Sequence, residues 1–434
     1  MTSRCVGIDA ARPWIETASY SCGWPLIFCI AALENAGDMT MQNVQVGFIG
    51  AGNFITGMHL PTVHQSENMD IGAIADLDEE LLKRHSSNMP VGYTTTDYRK
   101  ILDDPEIEMV IIGTKQDLHS RFIIESLDAG KWVLCEKPMA ETEEESEAVL
   151  EAEKRNPGKL AIGFNRRFAP SYAETKRLMQ GVKRPWYINY RLMYPNPSKQ
   201  EKGDFYETQP RILYEGCHIL DLVCWLLEDV PTRVFMTGDR FLNNCCILDY
   251  QDGSQVSFMC GSMGTYCLWK EYMEVFADWA AITVSELTDM RVRGFSGEVD
   301  RVYAPHRNER AREVSQWGFD FYEAYKVQRM WEDRDQYKAK YGMDFERIQR
   351  PTPVGFEISK FSAEHPDLAN VNPDKGWIDS VEHFARCLRE GTTPDNADGK
   401  AGATATYLAN ALLKSLETGQ VVEFKQSSAK ELGP

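Results

Sequence analysis

Between residues 44 and 165, short apolar runs alternate with helical stretches of ten or more residues, and few folds accept that pattern. The runs are "VQVGFI" (44–49), "MDIGAIAD" (69–76), "MVIIGT" (109–114), "KWVLCE" (131–136) and "LAIGFN" (160–165). Between them lie "DEELLKRHSS", "HSRFIIESLDAG" and "ETEEESEAVLEAEKR", which carry helical spacing. Runs that are apolar at nearly every position need cover on both faces. Strands of that kind separated by helices predict an α/β fold with a doubly wound parallel sheet.

After residue 165 the pattern changes. "WYINYRLMYP", "RVFMTGDRFLNNCCILDY", "SQVSFMCGSMG" and "MEVFADWAAITVSEL" are longer and alternate, which predicts a large, mostly antiparallel open sheet. An amphipathic helix is expected at 215–228, and closing helices and a last strand after 376. A chain of 434 residues exceeds one core, so two domains are expected. The boundaries predicted are an extension outside the fold at 1–40, a dinucleotide-binding domain at 41–165, and a substrate-binding and oligomerisation domain at 166–434. An insertion at about 300–375 carries Trp317, Tyr322, Tyr325, Trp331 and Tyr337, which can stack on sugar faces or pack a subunit interface. An open sheet leaves one face to cover, so a homodimer or homotetramer is expected.

The net charge of −18 disfavours nucleic acid and anionic membranes as partners. The apolar segment "WPLIFCIAAL" (24–33) is too short to span a membrane, and Asp9 and Glu16 ahead of it argue against a signal peptide. Met39 or Met41, directly before the first strand, is an alternative start. Eleven scattered cysteines, with no CxxC and no zinc spacing, predict reduced thiols, no metal site and a cytoplasmic location.

Four places carry chemistry. Gly50-Ala51-Gly52 follows a strand and opens a helix, the setting in which backbone approaches a pyrophosphate. The third small position of that fingerprint is Ile55. Asp76 ends the second strand, where a carboxylate accepts both ribose hydroxyls and repels a 2′-phosphate, favouring NAD over NADP. Lys137, between Glu136 and Pro138, follows a core strand at the edge where ligands bind. An apolar floor and a cationic nicotinamide would lower its pKa, and a cis Pro138 would fix its direction. His218 shares a helix face with Asp221 and Glu215, a setting for a base with a fixed tautomer.

These residues resemble the Gfo/Idh/MocA family of nicotinamide-dependent oxidoreductases, over about 44–300 and 376–424. The resemblance is carried by "VGFIGAGNF" with "HLP", by "IIGT" with the following His, by "DAGKWVLCEKPMAET", by "GFNRRFAP" and by "EGCHILDL". It implies a Rossmann domain followed by an α/β domain on a large open sheet. It implies Lys137 and His218 as the catalytic pair, with no metal. It places NAD against Gly50, Gly52, Asn53, Phe54 and Asp76, then against Thr114, His119, Glu136 and Lys137, with Asn165 and Arg167 near the crossover. Substrate would meet Lys137, Arg191, Tyr214, Glu215 and His218. Two departures are visible. Tyr214 stands where many members carry an aspartate, and Thr114-Lys115-Gln116 replaces their Thr-Pro-Asn.

The expected activity is NAD-dependent oxidation, or reversible reduction, of a secondary alcohol of a sugar, glycoside or inositol. The alternatives are an NAD-retaining glycosidase acting by transient oxidation and elimination, and a nucleotide-sensing regulator.

Overall fold

A computed structural model describes residues 42–193, 209–262, 264, 270–303, 331–341, 345 and 373–424. The extension expected at 1–40 lies outside the described residues, as do Trp317, Tyr322, Tyr325 and the side chain of Tyr337. Within the expected insertion, a helix spans Arg334–Tyr341, and Trp331 packs edge-on to Phe345 at 5.4 Å.

The first six strands are β1 (Val44–Ile49), β2 (Met69–Ala75), β3 (Tyr93–Thr95), β4 (Met109–Ile112), β5 (Trp132–Cys135) and β6 (Leu160–Ile162). They form one sheet in the order β3-β2-β1-β4-β5-β6, with every pairing parallel. This is the doubly wound arrangement expected from the sequence. Helices Glu79–Asn88, His119–Asp128 and Glu143–Arg155 supply crossovers. Thr142 and Glu145 close a capping box at the last of these.

The second sheet holds β7 (Tyr187–Met193), β8 (Arg233–Gly238), β9 (Asn243–Asp249), β10 (Gln255–Gly261), β11 (Glu271–Ala277), β12 (Ala280–Ser285), β13 (Asp289–Arg293), β14 (Arg301–Val302) and β15 (Val422–Glu423). Its order is β14-β13-β12-β11-β7-β10-β9-β8-β15. Only the central β7–β10 pair is parallel, so the sheet is mixed and mostly antiparallel, as expected. Two of the long alternating runs are hairpins. Residues 233–250 break at Gly238 (φ 115°), and 273–287 break at Asp278 and Trp279 (φ 40° and 70°). Asp278-Trp279 lacks the glycine that usually marks a two-residue turn, which hides it in the sequence.

Helices cover one face of this sheet. Ile188, Tyr190 and Leu192 of β7 point there, while Tyr187, Asn189 and Arg191 alternate to the open face. The helix expected at 215–228 is a π-helical turn (Ile212–Gly216) running into an α-helix (Cys217–Leu227). A second π turn (Ile55–His59) follows the Gly50 turn. Extra residues of this type often re-aim groups at functional sites.

The missing third small residue of the glycine fingerprint has a steric answer. A Cβ on Gly113 would lie 2.3 Å from Ile55 Cδ1, so the isoleucine fills the space that the glycine leaves. Gly50 has φ 89°, and a Cβ there would lie 2.7 Å from the Gly113 carbonyl oxygen.

Gly376 (φ 79°) holds Lys375 and Trp377 against the first sheet. A Cβ there would lie 2.4–2.5 Å from backbone atoms of Phe168, Ala169 and Asn165. Gly376→Ala should therefore cost at least about 1–3 kcal/mol. A lower urea midpoint at unchanged slope is the expected reading, and an unchanged midpoint would contradict the packing.

Candidate active site

Two cavities open at the C-terminal ends of the parallel strands. The first is about 830 Å³, lies over β1, β2 and β4, and is lined by Gly50, Gly52, Asn53, Asp76 and Thr114 among others. The second is about 410 Å³ and is lined by Phe54, His119, Glu136, Lys137, Tyr214, Glu215 and His218 among others. Gly113, Thr114 and Gln116 belong to both, so the cavities adjoin.

The first cavity fits a dinucleotide. No atom lies within 4 Å of the place where a Gly52 Cβ would be, which leaves room for a phosphate above the helix start. Asp76 sits at the rim. Its carboxylate accepts from the Ala51 N–H (2.7 Å) and the Asp78 N–H (3.0 Å), which fixes the turn and keeps lone pairs for a ligand. Asp78, not Asp76, caps the next helix.

In the second cavity, β5 delivers Glu136 and Lys137, and the Lys137–Pro138 bond is cis. Glu136 is buried and bonds His59 Nε2 at 2.8 Å. His119 bonds the Pro138 carbonyl through Nδ1 at 2.8 Å, and its buried Nε2 has no partner. Lys137 Nζ donates to the Tyr214 carbonyl (2.7 Å), which the π turn presents, and lies 3.9 Å from Glu215. The Tyr214 hydroxyl bonds Glu141.

The protein groups around Lys137 act against the lowered pKa expected beside a cationic nicotinamide. Burial works to lower it, but Glu215, Cys217 and Glu136 outweigh burial and raise it. Burial likewise opposes the ionised Glu215, yet Lys270, Lys137, Arg211 and Arg166 hold it down to about 2. His218 moves the other way. Burial, then Arg166 and Lys137, push it well below 6.5, so its ring is neutral. It packs edge-on to Phe164 at 6.0 Å.

The acids expected to orient His218 do not do so. Asp221 is taken by Arg167 in a two-pronged pair (2.6 and 3.0 Å), and His218 Nδ1 has no hydrogen-bond partner. One helix face puts Asp221 near His218 in sequence, but the guanidinium from the crossover reaches it first. The same pair takes Arg167 out of both cavity linings. Asn165 is also outside them, since its amide donates to the Lys375 carbonyl at 2.6 Å. Arg191 is a further correction. Strand alternation puts it on the open face, over the Tyr272 ring at 5.5 Å and beside Met259.

Sequence reasoning missed Arg166, Glu271, Lys270 and Lys375. Arg166 and Glu271 are buried and joined by two bonds of 2.7 Å. Lys375 adds a third at 3.2 Å, and Tyr190 a fourth at 2.6 Å, with Tyr172 behind it at 2.9 Å. Trp377 stands edge-on to Phe54 at 5.9 Å. The only sequence signal was the tandem arginine of "GFNRRFAP", and there the neighbour Arg167 drew the attention.

Residues 44–164 match the profile of the oxidoreductase family with an NAD-binding Rossmann fold, GFO_IDH_MocA. Over those residues the chain is similar to the Gfo/Idh/MocA family. It is 27% identical over 215 residues to the inositol 2-dehydrogenase/D-chiro-inositol 3-dehydrogenase of Lactiplantibacillus plantarum, covering 48% of this chain and 60% of that protein. It is 34% identical over 148 residues to the levoglucosan dehydrogenase of Pseudarthrobacter phenanthrenivorans, covering 32% of this chain and 38% of that one. Its fold matches the myo-inositol dehydrogenase of Lactobacillus casei, solved with NAD(H) and myo-inositol, at a TM-score of 0.63 and 16% identity. That match covers 89% of this chain and 98% of the other. The sequence alignments to the leading curated relatives span only about 60% of their length.

The neutral state of His218 has a cost at low pH. In the unfolded chain the imidazole takes a proton near 6.5; in the native protein it resists until well below. Unfolding therefore takes up a proton as pH falls through 6.5, and native stability falls with it. His218→Gln removes this contribution, up to about 1.4 kcal/mol per pH unit. Denaturant midpoints from about pH 7 to pH 5 should fall less steeply in the variant. Equal slopes would refute a buried neutral His218.

Proposed function

We propose that this protein oxidises, or in reverse reduces, a secondary alcohol of a sugar, glycoside or inositol by direct hydride transfer with NAD. The observation that carries the reading is a neutral His218 and a cationic Lys137 on one 410 Å³ cavity that adjoins a dinucleotide-sized cleft. The inositol and levoglucosan dehydrogenases among its relatives support the substrate class.

Gly50, Gly52 and Asn53 would receive the cofactor's phosphates, Asp76 its ribose, and Thr114, His119 and Glu136 its other end. Asp76 favours NAD, because its carboxylate would repel a 2′-phosphate. The bound dinucleotide supplies a hydride acceptor. His218 takes the hydroxyl proton as the C–H hydride leaves and the C=O forms. Lys137, kept charged by Glu215, donates to the substrate oxygen and stabilises its developing negative charge. Tyr214 and Glu215 aim the lysine, through the 2.7 Å bond to the Tyr214 carbonyl and the 3.9 Å ion pair. Exposed Tyr187, Ile247, Met259 and Phe276 on the second sheet support association of two or more copies.

Lys137→Ala should lower turnover by roughly 10²-fold or more while leaving NAD affinity nearly unchanged. The two numbers come from steady-state rates followed by nicotinamide absorbance and from a titration with NAD. Full turnover in the variant would remove Lys137 from the chemistry. In the parent protein, protonation of His218 abolishes the base, so kcat/KM should hold as pH falls through 6.5 and drop only below it. Cleavage of a glycoside without net NADH would instead favour the NAD-retaining glycosidase.

A further inference from the structure

Three buried histidines gather around the smaller cavity. Each keeps one ring nitrogen without a hydrogen-bond partner among the described residues: His59 Nδ1, His119 Nε2 and His218 Nδ1. His59 lines neither cavity, and its other nitrogen is against Glu136. His218 is the base of the proposed reaction. His119 has no part in the proton transfer. It is 1% exposed to solvent, yet it lines the smaller cavity.

The chemistry of its orphan nitrogen is fixed from behind. Nδ1 lies 2.8 Å from the Pro138 carbonyl, a distance that requires the proton on Nδ1. Burial keeps the ring below its ordinary pKa, although the Pro138 carbonyl, Glu136 and the Thr114 carbonyl favour a second proton. A neutral ring with its proton on Nδ1 carries a lone pair on Nε2. The Thr114 carbonyl is itself an acceptor and cannot satisfy that lone pair. A buried acceptor without a donor costs free energy, which a donor on the occupant of the cavity would recover.

The place of His119 points to the cofactor as that occupant. The residue begins the helix His119–Asp128, just past the segment whose Gly113, Thr114 and Gln116 border both cavities. A dinucleotide reaching from the larger cavity into the smaller one crosses that border. Tyr214, Glu215 and His218 belong to a different segment, the π turn and helix of 212–227. The oxidised nicotinamide ring is cationic, so a neutral lone pair is favourable beside it where a protonated imidazole would repel it. The carboxamide amino group is the one hydrogen-bond donor that nicotinamide has.

We propose that His119 Nε2 accepts a hydrogen bond from the carboxamide amino group of NAD, and that this contact selects nicotinamide over pyridine rings without an amino group. The Pro138 carbonyl positions the contact by holding the tautomer. The proposal rests on reading the adjoining cleft as the dinucleotide site, and it does not depend on which alcohol is oxidised.

The test compares the affinities of three ligands by calorimetry on the full-length protein. They are NAD, its 3-acetylpyridine analogue, which has a methyl group in place of the amino group, and ADP-ribose, which lacks the ring. The parent should bind NAD about fivefold or more tighter than the analogue. His119→Asn keeps a donor for the Pro138 carbonyl but leaves no acceptor at the Nε2 position, so the preference should fall to near parity. His119→Gln can bring an amide oxygen to that position and should restore part of the preference. ADP-ribose should bind the parent and both variants alike. A preference undiminished in His119→Asn overturns the contact. So does ADP-ribose weakened in step with NAD, which would put a ribose hydroxyl on Nε2. If the variants fail to fold, the parent decides, because equal affinity for NAD and the analogue overturns the proposal. In each of these cases, turnover of an alcohol leaves the dehydrogenase reading standing. Binding of none of the three ligands overturns both readings.

Discussion

The buried pair of Arg166 and Glu271 is the contact on which the site depends. It joins the chain just after β6 to the first residue of β11, and so ties the parallel sheet to the large one. Both partners are almost wholly out of water, a state that costs several kcal/mol per ion before pairing. The fork geometry recovers much of that, and Tyr190 and Lys375 take the remaining lone pairs of the carboxylate. Burial alone would raise the Glu271 pKa. Arg166 and Lys375 reverse this and hold it well below the carboxylate range, so the anion persists throughout ordinary pH. Removing either partner would strand the other, at about 3–5 kcal/mol. Lys375 owes its place to the same carboxylate and to the Gly376 turn, which also brings Trp377 to the cavity wall.

The fold was legible because its signals are local. Apolar runs bounded by helices identify a buried parallel sheet without knowledge of any partner, and strand ends identify the edge where ligands bind. Lys137, Glu215, His218 and the glycine turn came from that edge, and the structure brings them to two adjoining cavities. The readings that failed depended on pairings between distant segments. Arg167 and Asp221 lie 54 residues apart, and nothing in the helix around His218 announces that an arginine has claimed its acid. Arg166 and Glu271 are 105 residues apart, and Lys375 and Glu271 are 104 apart. Arg191 failed for a different reason. A strand's two faces are symmetric in sequence until one knows which face the helices cover, and Tyr190 and Arg191 lie on opposite ones.

In the proposed reaction, the electrostatics favour one division of the chemical labour. Lys137 and His218 both line the cavity, and an apolar floor with a cationic nicotinamide was expected to lower the lysine's pKa. The surroundings do the reverse. Glu215, held ionised by the cations around it, keeps Lys137 charged. Burial, and after it the same Arg166 and Lys137 charges that lower Glu215, disfavour a proton on His218. One field therefore makes the lysine a poor base and the histidine an available one. A cation that cannot give up its proton is suited to hold a developing alkoxide, and a neutral imidazole beside it is suited to take the proton. Neither role needs a carboxylate at the place that Tyr214 occupies. There the π turn offers a backbone carbonyl to Lys137, which aims the ammonium without adding a negative charge beside the oxygen it would stabilise.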